Sequence, residues 1–211
     1  MADYPERYEI REYLTEDGRS PFAAWLNALR DRRARARIDT RLARVRLGNL
    51  GDYAAVGEGV HELRIFYGPG YRVYFGFESS TVVALLCGGQ NPHNGVISPP
   101  RKRIGTTTGV ETMMRSRLYK EGLLERLKDP QEAAAYLDAA LEDGDTEVFL
   151  LALRDVAEAR LGGMTTLAQQ TGLNRETLYR TLSEKGNPEL ASLDKLLHAV
   201  GLRLAVEVDR G

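Results

Sequence analysis

Residues 91–112 read Asn-Pro-His-Asn-Gly-Val-Ile-Ser-Pro-Pro-Arg-Lys-Arg-Ile-Gly-Thr-Thr-Thr-Gly-Val-Glu-Thr, with three prolines, three glycines and no sustained apolar period. Proline removes a backbone donor and glycine costs conformational entropy on ordering, so this stretch suits a linker better than a packed element. It divides the 211-residue chain into residues 1–90 and 113–211, each near the size at which a single core becomes stable. Met113 and Met114 follow the linker directly, as though a second reading frame began there. Cys87 is the one cysteine, which excludes an internal disulfide, argues against a zinc site and fits a small core residue. No run approaches the roughly 20 apolar residues of a membrane span, and Met1-Ala2-Asp3-Tyr4-Pro5 lacks a basic-then-apolar signal pattern. The expected location is the cytoplasm.

The first half predicts the order strand, two helices, three strands. Tyr8–Tyr13 alternates apolar and polar residues at the period of a half-buried strand. Ser20-Pro21 supplies a helix cap and first-turn proline ahead of Phe22, Trp25, Leu26 and Leu29. A second helix from about Arg32 to Leu47 gathers Ile38, Leu42 and Val45 on one face and ends at Gly48. Val60–Tyr67, Tyr71–Phe77 and Thr81–Cys87 read as strands.

Gly68-Pro69-Gly70 between the first two of those strands predicts a three-residue hairpin connection with Tyr67 opposite Tyr71. That register pairs Leu63 with Phe75 and Ile65 with Val73 toward the core. Arg64 would then face Tyr74, and Phe66 would face Arg72, on the other side of the sheet. Guanidiniums bind phosphate and aromatic rings stack on bases, so the patch has the chemistry of an RNA site. The same arginines could equally be solvated sheet positions stacked on neighbouring rings, with Tyr74 one of those rings. His61 shares the core-side parity of Leu63, which favours a structural role, and His93 in the linker has no evident partner.

Residues 59–75, Gly-Val-His-Glu-Leu-Arg-Ile-Phe-Tyr-Gly-Pro-Gly-Tyr-Arg-Val-Tyr-Phe, followed by Val-Val-Ala-Leu-Leu-Cys-Gly-Gly at 82–89, closely resemble HigB-type addiction-module toxins of the RelE/ParE superfamily. The resemblance spans residues 4–90 and implies metal-independent messenger RNA cleavage on the ribosome by attack of a ribose 2′-hydroxyl on the adjacent phosphate. Arg64 and Arg72 would stabilise the charged phosphorane but, being always protonated, could not serve as base. Tyr74 would orient the hydroxyl or protonate the leaving oxygen. Eight arginines crowd residues 30–46, and Arg33, Arg37, Arg41 and Arg44 are candidates for ribosomal RNA contact alongside Phe66, or else the solvated face of a helix. Toxins of this type usually continue past the Gly-Gly with basic residues and a helix; here Gly88-Gly89 leads into the linker, which leaves a weakened or inactive toxin as an alternative.

In the second half, Asp129-Pro130 begins a capped helix with Glu132 at the capping-box position, and another helix is expected from about Thr146 to Arg160. Residues 164–182, Met-Thr-Thr-Leu-Ala-Gln-Gln-Thr-Gly-Leu-Asn-Arg-Glu-Thr-Leu-Tyr-Arg-Thr-Leu, form a helix-turn-helix signature: Ala168 permits close helix approach, Gly172 the left-handed turn, and Leu173, Leu178 and Leu182 the core side. Asn174 would cap a recognition helix presenting Arg175, Glu176, Thr177, Tyr179 and Arg180, with Gln169 beside it, to the DNA major groove. Through Gly186-Asn187-Pro188-Glu189 and a helix over 193–200, residues 114–208 resemble HigA-type antitoxins of the lambda-repressor-like class. That resemblance implies operator binding as a homodimer and neutralisation of a partner toxin. The tail Leu202–Val208 alternates strictly and predicts a strand in need of a partner.

The expected architecture is therefore α+β: a RelE-like β-α-α-β-β-β domain linked to an all-α helix-turn-helix domain with a C-terminal strand. The expected function is a toxin–antitoxin fusion whose first half is an mRNA interferase and whose second half binds operator DNA as a transcriptional repressor. The alternative is a DNA-binding regulator carrying an inactive toxin remnant. Operator DNA, the ribosome and its mRNA, and a second copy of the chain are the expected partners, with no membrane, cofactor or metal. The halves carry 13 basic against 12 acidic residues (1–90) and 13 against 17 (113–211), a small imbalance of the sign that complementary partners would show.

Overall fold

The computed structural model describes residues 6–90, 115–183, 186–206 and 208. The proposed linker, with His93 and the Met113-Met114 pair, lies outside the described residues. The chain forms two compact units that divide between Leu123 and Leu124, later than composition places the boundary.

The first unit follows the expected α+β layout, with two more strands than the sequence suggests. In order its elements are β1 (Glu9–Tyr13), α1 (Pro21–Ala28), α2 (Arg32–Arg46), β2 (Tyr53–Gly57), β3 (Val60–Ile65), β4 (Tyr71–Phe77), β5 (Val82–Gln90) and β6 (Ser116–Leu118), followed by helix α3 (Tyr119–Leu127). The strands make one sheet in the order β2-β3-β4-β5-β1-β6, with β1 parallel to β5 and β6 antiparallel to β1. Local chemistry sets the helix boundaries. The Ser20 hydroxyl accepts from the Ala23 N–H at 3.0 Å with Pro21 in the first turn, and the Asp31 carboxylate accepts from the Ala34 N–H at 3.2 Å. Phe22, Leu26, Ile38, Leu42 and Val45 of the helices are buried, as are Leu63, Val73, Phe75, Val83 and Leu85 of the sheet. Trp25 lies so close over β5 that a Cβ on Gly88 would stand 2.0 Å from its ring.

The β3–β4 register corrects the hairpin expectation. Ile65 pairs with Tyr71, Arg64 with Arg72, Leu63 with Val73 and Glu62 with Tyr74. The Gly70 N–H donates to the Tyr67 carbonyl at 2.9 Å, closing a tight turn over 67–70, so Tyr67 belongs to the turn and the ladder stops two residues earlier. A shift of two preserves which face each side chain occupies but changes every cross-strand partner.

The second unit is helical: α4 (Pro130–Asp143), α5 (Thr146–Leu161), α6 (Met164–Thr171), α7 (Arg175–Thr181) and α8 (Leu190–Ala199). Asp129 caps α4 by accepting from the Gln131 N–H at 2.8 Å, and Asp145 caps α5. Gly144 and Gly162 end those helices in the left-handed conformation. Arg160 near the end of α5 donates to the Val200 carbonyl (2.6 Å) and the Lys128 carbonyl (2.7 Å), joining the ends of α8 and α3 to α5. The expected C-terminal strand is absent among the described residues. Leu202–Val206 and Val208 form no ladder, and Val206 is fully exposed. Among the described residues, no helix is long and apolar enough to cross a membrane.

Candidate nucleic-acid surfaces

On the first unit, alternation along β3 and β4 sends Leu63, Val73 and Phe75 into the core and leaves Glu62, Arg64, Arg72 and Tyr74 on the opposite face. Arg64 and Arg72 are directly opposed, a repulsive pair by itself. Glu62 resolves the repulsion: its Oε1 accepts from Arg64 Nε at 2.9 Å and its Oε2 lies 3.6 Å from Arg72 Nε. Asp52 adds a further carboxylate 3.6 Å from Arg64. Arg72 is largely buried, whereas about a third of Arg64 is open to solvent. Tyr74 packs with Val60, Leu86, Cys87 and Tyr13 on this face, and Leu86 is the extra residue of a bulge between β4 and β5. Burial raises the Tyr74 phenol pKa above its ordinary value, the neighbouring Glu62 carboxylate adding to the effect and Arg72 opposing it. The phenol therefore stays protonated. Burial likewise pushes the Cys87 thiol up to about 11.

The structure places Arg64, Arg72 and Tyr74 on one face, with cross-strand partners other than those expected, and sets Glu62 and Asp52, which the sequence reading does not single out, beside them. Glu62 carried a signal: it shares the parity of Arg64 two positions away. Phe66 is 80% exposed and sits beyond the end of the ladder rather than across from Arg72. On α2, Arg33 is exposed, while Arg37 stacks over the Tyr67 ring at 5.9 Å. Arg41 donates to the Leu50 and Asp52 carbonyls, closing the loop before β2, so its guanidinium has a structural task. Arg44 is half-buried in the last turn of α2. His61 packs among Tyr53, Phe75 and Phe77, as a structural residue would.

On the second unit, α6 and α7 are joined by Gly172 at φ +68°, a left-handed turn that glycine adopts without strain. Leu167, Leu178 and Leu182 are buried along the inner side of the pair. Asn174 Oδ1 accepts from the Thr177 N–H at 2.7 Å, so its side chain caps α7 as the sequence predicts. Gln169, Glu176 and Arg180 are exposed, and Thr177 and Tyr179 half-buried. Arg175 opens α7; its side chain lies outside the described residues. The two helices and their turn have the layout of a helix-turn-helix. Among the described residues no His, Cys, Asp or Glu group could hold a metal ion.

The family described as "Probable addiction module antidote protein" matches residues 113–208. Two uncharacterized proteins of Haemophilus influenzae are also similar. One is 47% identical over 68 residues, 32% of this chain and 69% of the relative; the other is 35% identical over 97 residues, 46% of this chain and 98% of the relative. The chain belongs to the addiction module antidote family. The match supports a place in a toxin–antitoxin system, with an antitoxin role for residues 113–208. No solved structure matches.

Proposed function

We propose that the chain is a toxin–antitoxin fusion, in which an antidote half of HigA type restrains a HigB-like toxin half on the same polypeptide. The observation that carries this reading is that the antidote match starts only at residue 113, after the strands β1–β5 that include Arg64, Arg72 and Tyr74. A family of antidotes needs a toxin partner, and the sequence resemblance of residues 4–90 to RelE/ParE-superfamily toxins supplies one. In this reading Arg64 binds the scissile phosphate, Arg72 stabilises the developing charge and Tyr74, kept protonated, gives a proton to the leaving oxygen. Phe66 and the arginines on the outer side of α2 contact RNA. The α7 helix of the antidote half enters the major groove of operator DNA, with the chain acting as a homodimeric repressor. The linker raises the effective concentration of the halves for each other.

One observation favours the second reading, a DNA-binding regulator with an inactive toxin remnant. Glu62 engages both guanidiniums that the phosphate would need. Growth and messenger RNA cleavage on inducing residues 1–123, with and without Arg64→Ala/Arg72→Ala, decide between them. Arrest that the double variant abolishes supports a live toxin. Absence of arrest from a soluble, folded fragment supports the regulator.

A further inference from the structure

The segment 115–123 lies within the antidote match, which begins at residue 113, yet it is built into the first unit rather than the helical one. Its strand β6 adds antiparallel to β1, pairing Ser116 with Tyr13, Arg117 with Glu12 and Leu118 with Arg11. The Arg115 carbonyl accepts from the Leu14 N–H at 2.8 Å, extending the ladder by one bond. Arg117 makes an ion pair of 2.7 Å with Glu12, a carboxylate with no solvent exposure. Tyr119 is buried: its hydroxyl donates to Asp39 Oδ1 at 2.6 Å and its ring meets the edge of Phe22. Leu123 is fully buried one turn further along. Strand addition, a charge pair on a buried acid and an aromatic anchor are together the components of a recognition contact.

We infer that residues 115–123 are the grip by which the antidote half holds the toxin half, through a sixth strand on the β1 edge with Arg117, Tyr119 and Leu123 as anchors. The linker then assists a contact that would persist between separate chains. The inference rests on the toxin–antidote reading for its biological meaning, but its physical content is an association that can be measured apart from any toxicity. Strand addition supplies main-chain hydrogen bonds whatever the sequence, whereas Glu12 and Asp39 set which strand is accepted. An antidote lacking an arginine and a tyrosine two residues apart would leave a buried carboxylate unpaired, so the same pair confers specificity.

The test uses the full chain with a site-specific protease sequence inserted between residues 104 and 105, cleaved after folding and followed by size exclusion and native mass spectrometry. The cut wild-type chain is expected to remain a one-to-one complex of its two pieces at micromolar concentration. Arg117→Ala and Tyr119→Ala should each weaken that complex by tenfold or more, and Tyr119→Phe, which keeps the ring and removes one buried hydrogen bond, by roughly tenfold. Hydrogen exchange in the cut chain should show the Leu14 amide losing protection as the complex weakens. Pieces that separate in the cut wild type would overturn the inference, as would variants that bind as tightly as wild type, since the grip would then lie elsewhere. Should Tyr119→Ala fail to fold, Tyr119→Phe and Arg117→Ala decide. A complex that behaves as expected while residues 1–123 prove harmless in cells would retain the grip and remove the live toxin.

Discussion

At Gly88 the absence of a side chain is itself a packing feature. Trp25 occupies the space where a Cβ would stand, and a contact of 2.0 Å cannot be relieved without moving the indole or the strand. Gly88→Ala should therefore destabilise the first unit by about 1–3 kcal/mol, the usual range for overpacking a core, read as a lower urea midpoint with unchanged slope. An unchanged midpoint would mean that Trp25 can rotate away freely. Its neighbour Cys87 gives a test with a definite sign in pH. Burial raises the thiol to about 11, so the folded state favours the protonated form. The stability this contributes is present below the unfolded thiol's pKa and is lost as pH rises through the folded value near 11. At pH 8 the native thiolate fraction should be on the order of one in a thousand, so iodoacetamide should label Cys87 slowly in the native chain and rapidly in urea. Equal rates would place the thiol in solvent.

Element by element, local features of the sequence proved the most legible. The caps at Ser20, Asp129 and Asn174 were readable because a cap involves residues within three positions of one another, and all three make the expected bonds. The β3–β4 faces were readable because parity follows from alternation, but the register was not, because whether Tyr67 joins the strand or the turn depends on one hydrogen bond to Gly70. Glu62 was overlooked for a similar reason: its bridging role appears only when Arg72 is brought across from Arg64. For the paired helices α6 and α7, the geometry makes two predictions. Gly172→Ala forces a side chain into φ +68° and should cost about 1 kcal/mol, visible as a lower melting temperature. Arg180→Ala removes an exposed cation from α7 and should weaken binding to the DNA upstream of the chain's own coding sequence. If Arg180 meets a phosphate, the slope of log affinity against log salt should fall by about one. Unchanged affinity and slope across a salt series, measured by fluorescence anisotropy, would remove Arg180 from the interface.

At the scale of the whole molecule, composition and compactness divide the chain at different places, and the difference has a physical cause. Proline, glycine and threonine mark residues 91–112 as linker, but nothing local reveals that the residues just beyond it return to a strand a hundred positions earlier. A tripeptide such as Ser116-Arg117-Leu118 carries too little pattern to be read as a strand. Its place becomes intelligible only through Glu12, whose buried carboxylate is paired by Arg117. The first unit therefore needs residues that composition assigns to the second. A fragment ending at residue 95 would leave β1 as a bare edge, strip Glu12 of Arg117 and remove the Tyr119 hydroxyl from Asp39. Leaving the buried Glu12 carboxylate without its partly exposed partner costs about 1–3 kcal/mol, a sizeable share of the roughly 5–15 kcal/mol that stabilises a small domain. Fragment 1–123 should consequently melt cooperatively, while fragment 1–95 should melt at a markedly lower temperature or aggregate, as differential scanning calorimetry of the two would show. Glu12→Gln, which lessens the need for Arg117 by removing the charge, should recover part of the loss in 1–95 while weakening 1–123. If both fragments melt alike, β6 is an ornament on a sheet already complete without it.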